Sequence, residues 1–182
     1  MRRQPYYSHN PWNSTIPSAW NNNWSYPPHV YSWQSGYRDL IREDIPLMDY
    51  GPRPLVINID QATKQNNTYR TALWTGKHLQ VTLMSINVGD DIGLEIHPTT
   101  DQFIRIEEGQ GLVQMGDRKD NLDFQAMAGD DFAIMIPAGK WHNVTNTGNI
   151  PLKVYVIYAP PEHPFGTVHE TKAKAMSAEH QR

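Results

Sequence analysis

From Leu55 onward, apolar residues recur at every second position in short runs, and turn residues end each run before a helical period can develop. Leu55–Ile59 reads as a first strand, and residues 60–67 as a polar connection with helical character. The runs 69–74 and 79–86 flank Thr75-Gly76-Lys77-His78, which is hairpin spacing. Within the second run, Leu79, Val81 and Leu83 share one face while Gln80 and Thr82 take the other. Further strands are predicted over 92–97, 102–107, 111–115, 122–125, 131–136, 142–145 and 152–158. Many short, evenly spaced strands with no long helix between them predict an all-β fold, either a barrel or a two-sheet jelly roll.

The chain is organised in three parts: an arm over 1–50, a barrel over 51–160, and an extended segment with a helix over 161–182. The arm is crowded with Asn, Pro, Tyr and Trp, as in Trp20-Asn21-Asn22-Asn23-Trp24-Ser25-Tyr26-Pro27-Pro28. With so little aliphatic surface it cannot offset chain entropy alone. It reads as a flexible tail, or as an adhesive arm whose aromatics dock on another subunit. Its composition is similar to the low-complexity regions of bacterial spore-coat and surface-layer proteins. At the other end, prolines hold 160–164 extended, and Thr167 and Glu170 stand at capping-box spacing for a terminal helix of about ten residues.

Composition excludes several classes of function. A formal charge of −3 does not call for nucleic acid or an anionic membrane as partner. No apolar run reaches the roughly 18 residues of a membrane span. The basic start, Met1-Arg2-Arg3, lacks the apolar stretch of a secretory signal. A cytoplasmic protein is the expectation, with a spore coat or surface layer as the alternative. There is no cysteine, so any metal must be held by His, carboxylate or amide oxygen.

Such side chains are present. On a strand, residues two apart point the same way, so Glu95 and His97 project to one face. Either Asp101 or Gln102 can point inward on the next strand. Gln102 shares its face with Ile104 and Ile106, and Asp101 shares its own with Arg105, so burial favours Gln102 inward. His142 follows the turn Pro137-Ala138-Gly139. Two imidazoles, a carboxylate and an amide oxygen would suit Zn, Mn, Fe, Co or Ni and leave open positions. Arg105 should point outward and pair with an acidic neighbour, and Trp141 should face the outer sheet surface. Tyr155 and Tyr158 lie on opposite faces, so one can reach the cavity. His163 and His169 read as surface or interface residues.

The sequence resembles a small single-domain cupin of the jelly-roll superfamily, whose fold is a double-stranded β-helix. Pro137, Gly139, His142 and Asn146 match the core of the second cupin motif at each position. The glycine expected six residues before that proline is Asp131. The first motif keeps its frame through Gly89, Glu95, His97, Gln102 and Gly109, with Glu95 and Gln102 replacing two of the usual ligands. The stretch from Gly93 through Ala175 is also similar to mannose-6-phosphate isomerase-like bacterial cupins. The resemblance implies one divalent metal on Glu95, His97, Gln102 and His142. The resemblance does not carry the substrate over; a small polar, sugar-like or carbonyl ligand in the barrel is the expectation, with Glu95 or a metal-bound water moving the proton. An isomerase is the leading expectation. The alternatives are an Fe(II) dioxygenase, a structural or assembly protein, and a ligand sensor without turnover. It implies self-association too, with Pro160 to Gly166 and the terminal helix free to reach across to a neighbour.

Overall fold

The computed structural model describes residues 44–179; residues 1–43, the greater part of the arm expected over 1–50, lie outside the described residues. Among the described residues nine strands follow a short helix α1, Ile59–Gln65, and a second helix α2, Lys172–Glu179, comes last. In chain order the strands are β1 Arg70–Thr75, β2 Gln80–Ile86, β3 Asp101–Glu108, β4 Gln110–Gly116 and β5 Phe124–Gly129. They continue with β6 Ala133–Ile136, β7 Trp141–Asn146, β8 Leu152–Ala159 and β9 Val168–His169. A six-stranded sheet, β6-β3-β8-β2-β1-β9, faces a three-stranded sheet, β5-β4-β7, and every pairing is antiparallel. This is the expected jelly roll with its short terminal helix. Among the described residues no helix is long and apolar enough to cross a membrane.

Register explains where the interior is dry and where it is polar. β2 and β8 pair without interruption from Gln80 opposite Tyr158 to Ile86 opposite Leu152. Met84, Ile86, Ile106, Leu152 and Val154 fill one end of the barrel, each at most 1% exposed. Toward the other end the same inward face carries Thr82, Gln80, Gln102 and Tyr158, also buried. Gln102 sits between Ile136 and Tyr158 across the sheet, and Tyr158 between Gln102 and Gln80. The alternation expected on β2 is present, but its polar members face the barrel. Leu83 faces outward into a second apolar cluster with Ala62 and Leu73, against which Ile45, Leu47, Tyr50, Ile57 and Ile59 pack. Burying a leucine such as Leu83 contributes about 2 kcal/mol.

Three local expectations are corrected. Leu55–Ile59 is not a strand: residues 55–58 join no ladder, and Asn58 accepts the Gln61 N–H at 3.1 Å to cap α1, which begins at Ile59. Residues 92–97 form no ladder: Glu95 makes an isolated bridge to His142, and Asp91, just before the run, makes another to Thr145. Asp91 Oδ1 accepts the Gly93 N–H at 2.6 Å, and that side-chain turn interrupts the ladder. The terminal helix starts later than the capping-box spacing suggests. Thr167 instead bonds Pro164 O through its hydroxyl, Val168 and His169 join the edge of β1, and Thr171 Oγ1 accepts the Lys174 N–H.

The segment after β8 docks on its own barrel rather than reaching away from it. Gln80 holds it on both sides of one residue, donating to His163 O and accepting the His163 N–H, each at 2.9 Å. Asp49 Oδ2 accepts the Gly166 N–H at 2.9 Å. Lys172 ties α2 back by bonding Asp90 and Asp91, each at 2.7 Å.

Candidate metal centre

The polar end of the barrel is built by two chain segments that the main chain joins. Glu95 and His142 exchange both backbone hydrogen bonds, at 3.1 and 3.0 Å. Two residues on, His97 O accepts the Gly139 N–H at 2.8 Å. Gly139 has φ +79°, and a Cβ there would meet no atom within 4 Å, so backbone conformation rather than space calls for glycine. The turn Pro137-Ala138-Gly139 thereby sets His142 beside the Glu95–His97 pair. At the earlier motif position, Asp131 takes φ +68° in place of glycine.

Glu95, His97 and His142 converge, each offering a ligand atom within 4.8 Å of the others. Glu95 Oε1 lies 3.3 Å from His97 Nε2 and 3.3 Å from His142 Nε2. The rings stand 5.5 Å apart, and His97 and His142 are 8% and 1% exposed. The outer nitrogens face acceptors as well. His142 Nδ1 is 2.9 Å from Lys140 O, and His97 Nδ1 is 3.4 Å from Glu162 Oε1. A carbonyl only accepts, so His142 Nδ1 must carry its hydrogen. Nε2 is then the nitrogen that His142 turns toward the Glu95 carboxylate, and a metal ion would fit between them.

The electrostatics agree. Burial works against the Glu95 anion, yet the hydrogen bond with His142, the His97 ring and the charge of Arg70 hold it well below the usual carboxylate range. Burial also works against a charged His97, but Glu95 and then Glu162 outweigh it and raise the imidazole. Gln102 is 3% exposed, and its Oε1 is buried without a hydrogen-bond partner. It pairs across the sheet with Tyr158, whose ring lies 5.6 Å from that of His97. Two converging imidazoles, an ionised carboxylate and an orphaned amide oxygen fit a divalent ion of borderline softness. This chain can therefore hold a metal ion on Glu95, His97 and His142, whichever ion that is.

Other candidates sort as follows. Asp101 points outward and accepts the Ala138 N–H at 2.9 Å. Arg105 also points outward and pairs with Glu107 and Asp131. Trp141 is half-buried beneath Lys119, and Tyr158, rather than Tyr155, faces the barrel interior. His163 is corrected: it is 7% exposed, with its ring 5.0 Å from Tyr158. Its neighbouring prolines suggested surface, but the Gln80 clamp draws it in. Glu162 and Arg70 were not anticipated. Glu162 lies in a segment without strand parity, and Arg70 sits on a strand buried on both faces through residues 70–73.

Residues 82–158, from β2 to β8, match the family model of the cupin domain. The Bacillus subtilis protein YrkC is 66% identical over 146 residues, spanning 80% of this chain and 77% of YrkC. The crystal structure of BH2720 from Bacillus halodurans is 71% identical with a TM-score of 0.71, covering 71% of this chain and 98% of that one. A double-stranded β-helix protein from Klebsiella pneumoniae, 16% identical with a TM-score of 0.50, covers 65% of this chain and 99% of its own; it is alike in fold alone. Two antiparallel sheets, a motif turn that carries His142 to Glu95 and His97, and these matches lead to one conclusion: the chain belongs to the cupin family.

Proposed function

We propose that this cupin holds one divalent ion on Glu95, His97, Gln102 and His142 and acts on a small polar ligand, sugar-like or carbonyl-bearing, at the polar end of the barrel. The observation that carries this reading is the position of Glu95 Oε1, 3.3 Å from both Nε2 atoms. The buried, unpartnered oxygen of Gln102 supports a fourth ligand. When bound, such an ion supplies Lewis-acid polarisation of a ligand oxygen. Glu95, kept ionised between the rings, is the residue to hold or move a proton at the carbon beside that oxygen, which is isomerase chemistry. Tyr158 and Gln102 line the same space and orient the ligand.

The two-histidine, one-carboxylate set favours a second reading, Fe(II)-dependent dioxygen chemistry. Oxygen uptake that requires iron would select it over the isomerase. Self-association belongs to the proposal as well. Phe124, Met127, Phe132 and Met135 are each more than half exposed on or beside β5 and β6, each an edge strand of its sheet.

Metal analysis of the purified chain tests the centre. We expect about one ion per chain in the wild type and none retained by His97→Ala or His142→Ala, with circular dichroism unchanged. Wild-type protein that holds no ion after exposure to Zn, Mn, Fe(II) or Ni would refute it.

A further inference from the structure

His142 and His97 are oriented differently. Lys140 O, two residues upstream, fixes His142 through Nδ1. His97 has no such acceptor on its own segment; its Nδ1 faces Glu162 Oε1 at 3.4 Å, from the chain beyond β8. That carboxylate is held in place. Its Oε2 accepts the Thr100 hydroxyl at 3.0 Å, and the next residue, His163, is clamped by Gln80 on both backbone polar atoms. The His163 ring packs edge-on against Tyr158, which packs edge-on against His97.

We infer that Glu162 is a positioning residue that accepts the His97 Nδ1–H and so presents Nε2, bare and correctly aimed, to the ion. A neutral imidazole has one N–H, and a metal on Nε2 leaves that hydrogen on Nδ1. A carboxylate acceptor there fixes the tautomer, holds the ring plane and makes the ligating nitrogen more basic. The Thr100 bond stops Glu162 from swinging away into solvent. The inference rests on the metal-centre reading, and it gives the tail after the barrel a part in the site.

The test uses full-length chain as wild type, Glu162→Ala and Glu162→Gln. Zinc affinity is measured by competition with a chromophoric chelator, and imidazole nitrogens of the zinc-loaded protein are followed by 15N-edited NMR. Glu162→Ala should weaken zinc binding about 10- to 100-fold. It should also make the His97 Nδ1–H, slow to exchange in wild type, exchange fast or disappear. Glu162→Gln keeps an acceptor oxygen, so it should restore the slow Nδ1–H and bind zinc with an affinity between the other two. Unchanged affinity and unchanged Nδ1–H exchange in Glu162→Ala would overturn the positioning role and leave the metal centre standing. So would equal weakening in both variants with the Nδ1–H signal unaltered, which marks a merely structural residue. Wild-type chain that binds no zinc and none of the other ions would sink the centre and this role together.

Discussion

Asn146 shows how a single motif divides its labour among residues. It lies four positions after His142 on the same inward face of β7, yet its polar atoms serve the main chain. Its Nδ2 donates to Ile86 O at 2.9 Å and to Ile150 O at 2.8 Å, and its Oδ1 accepts the Gly148 N–H at 2.9 Å. Asn146→Ala would strand these groups in a site that is 1% exposed. Urea denaturation should register a loss of about 3 kcal/mol, with one ion still bound per chain. Removing His142 should empty the centre. The spacing of Pro137, Gly139, His142 and Asn146 announced one unit; only the hydrogen bonds separate its ligand from its scaffold.

Individual elements were legible where parity and packing agreed. β3 is the clear case: Gln102, Ile104 and Ile106 are buried, while Asp101 and Arg105 face out, as periodicity requires. Parity fails where local side chains take over the backbone, at the Asn58 cap and the Asp91 turn; on β2 it holds, and helix α1 buries the outward Leu83 on the side opposite the barrel. Glu162 could not be found this way, since a proline-rich connector has no alternation to read. Helix α2 carries its own pH test. Burial works against ionised Asp90, but Lys172 and the Asp91 N–H lower its pKa; burial also works against charged Lys172, but Asp90 and Asp91 raise it. A lowered acid stabilises above its ordinary value and loses that contribution as pH falls through its folded pKa; a raised base stabilises below its ordinary value and loses it as pH rises. The tie is therefore intact from about pH 4 to about pH 10 and is lost in stronger acid. Hydrogen exchange, corrected for intrinsic rates, should show residues 172–179 loosening at pH 2 to 3 before β2 and β8 do. Lys172→Ala should produce the same loosening at pH 6, and equal protection in that variant would refute the anchor.

At the scale of the whole molecule, the outer face of the larger sheet carries an apolar row. Met135, Phe103, Ile157, Val81 and Trp74 stand opposite one another strand by strand. Met135 is 65% exposed at its end, on an edge strand with open backbone groups. Sedimentation of the wild-type chain should give a dimer, and Met135→Lys should shift it toward monomer with its strand content intact. A wild-type monomer at micromolar concentration would remove self-association from the proposal. Inside the barrel, what keeps Glu95, His97 and His142 together is peptide bonded to peptide, two bonds between Glu95 and His142 and one from Gly139 to His97. Emptying and refilling that seat asks nothing of the surrounding strands. With the proposed ion bound there, replacing one metal by another is then expected to leave the strands as they are.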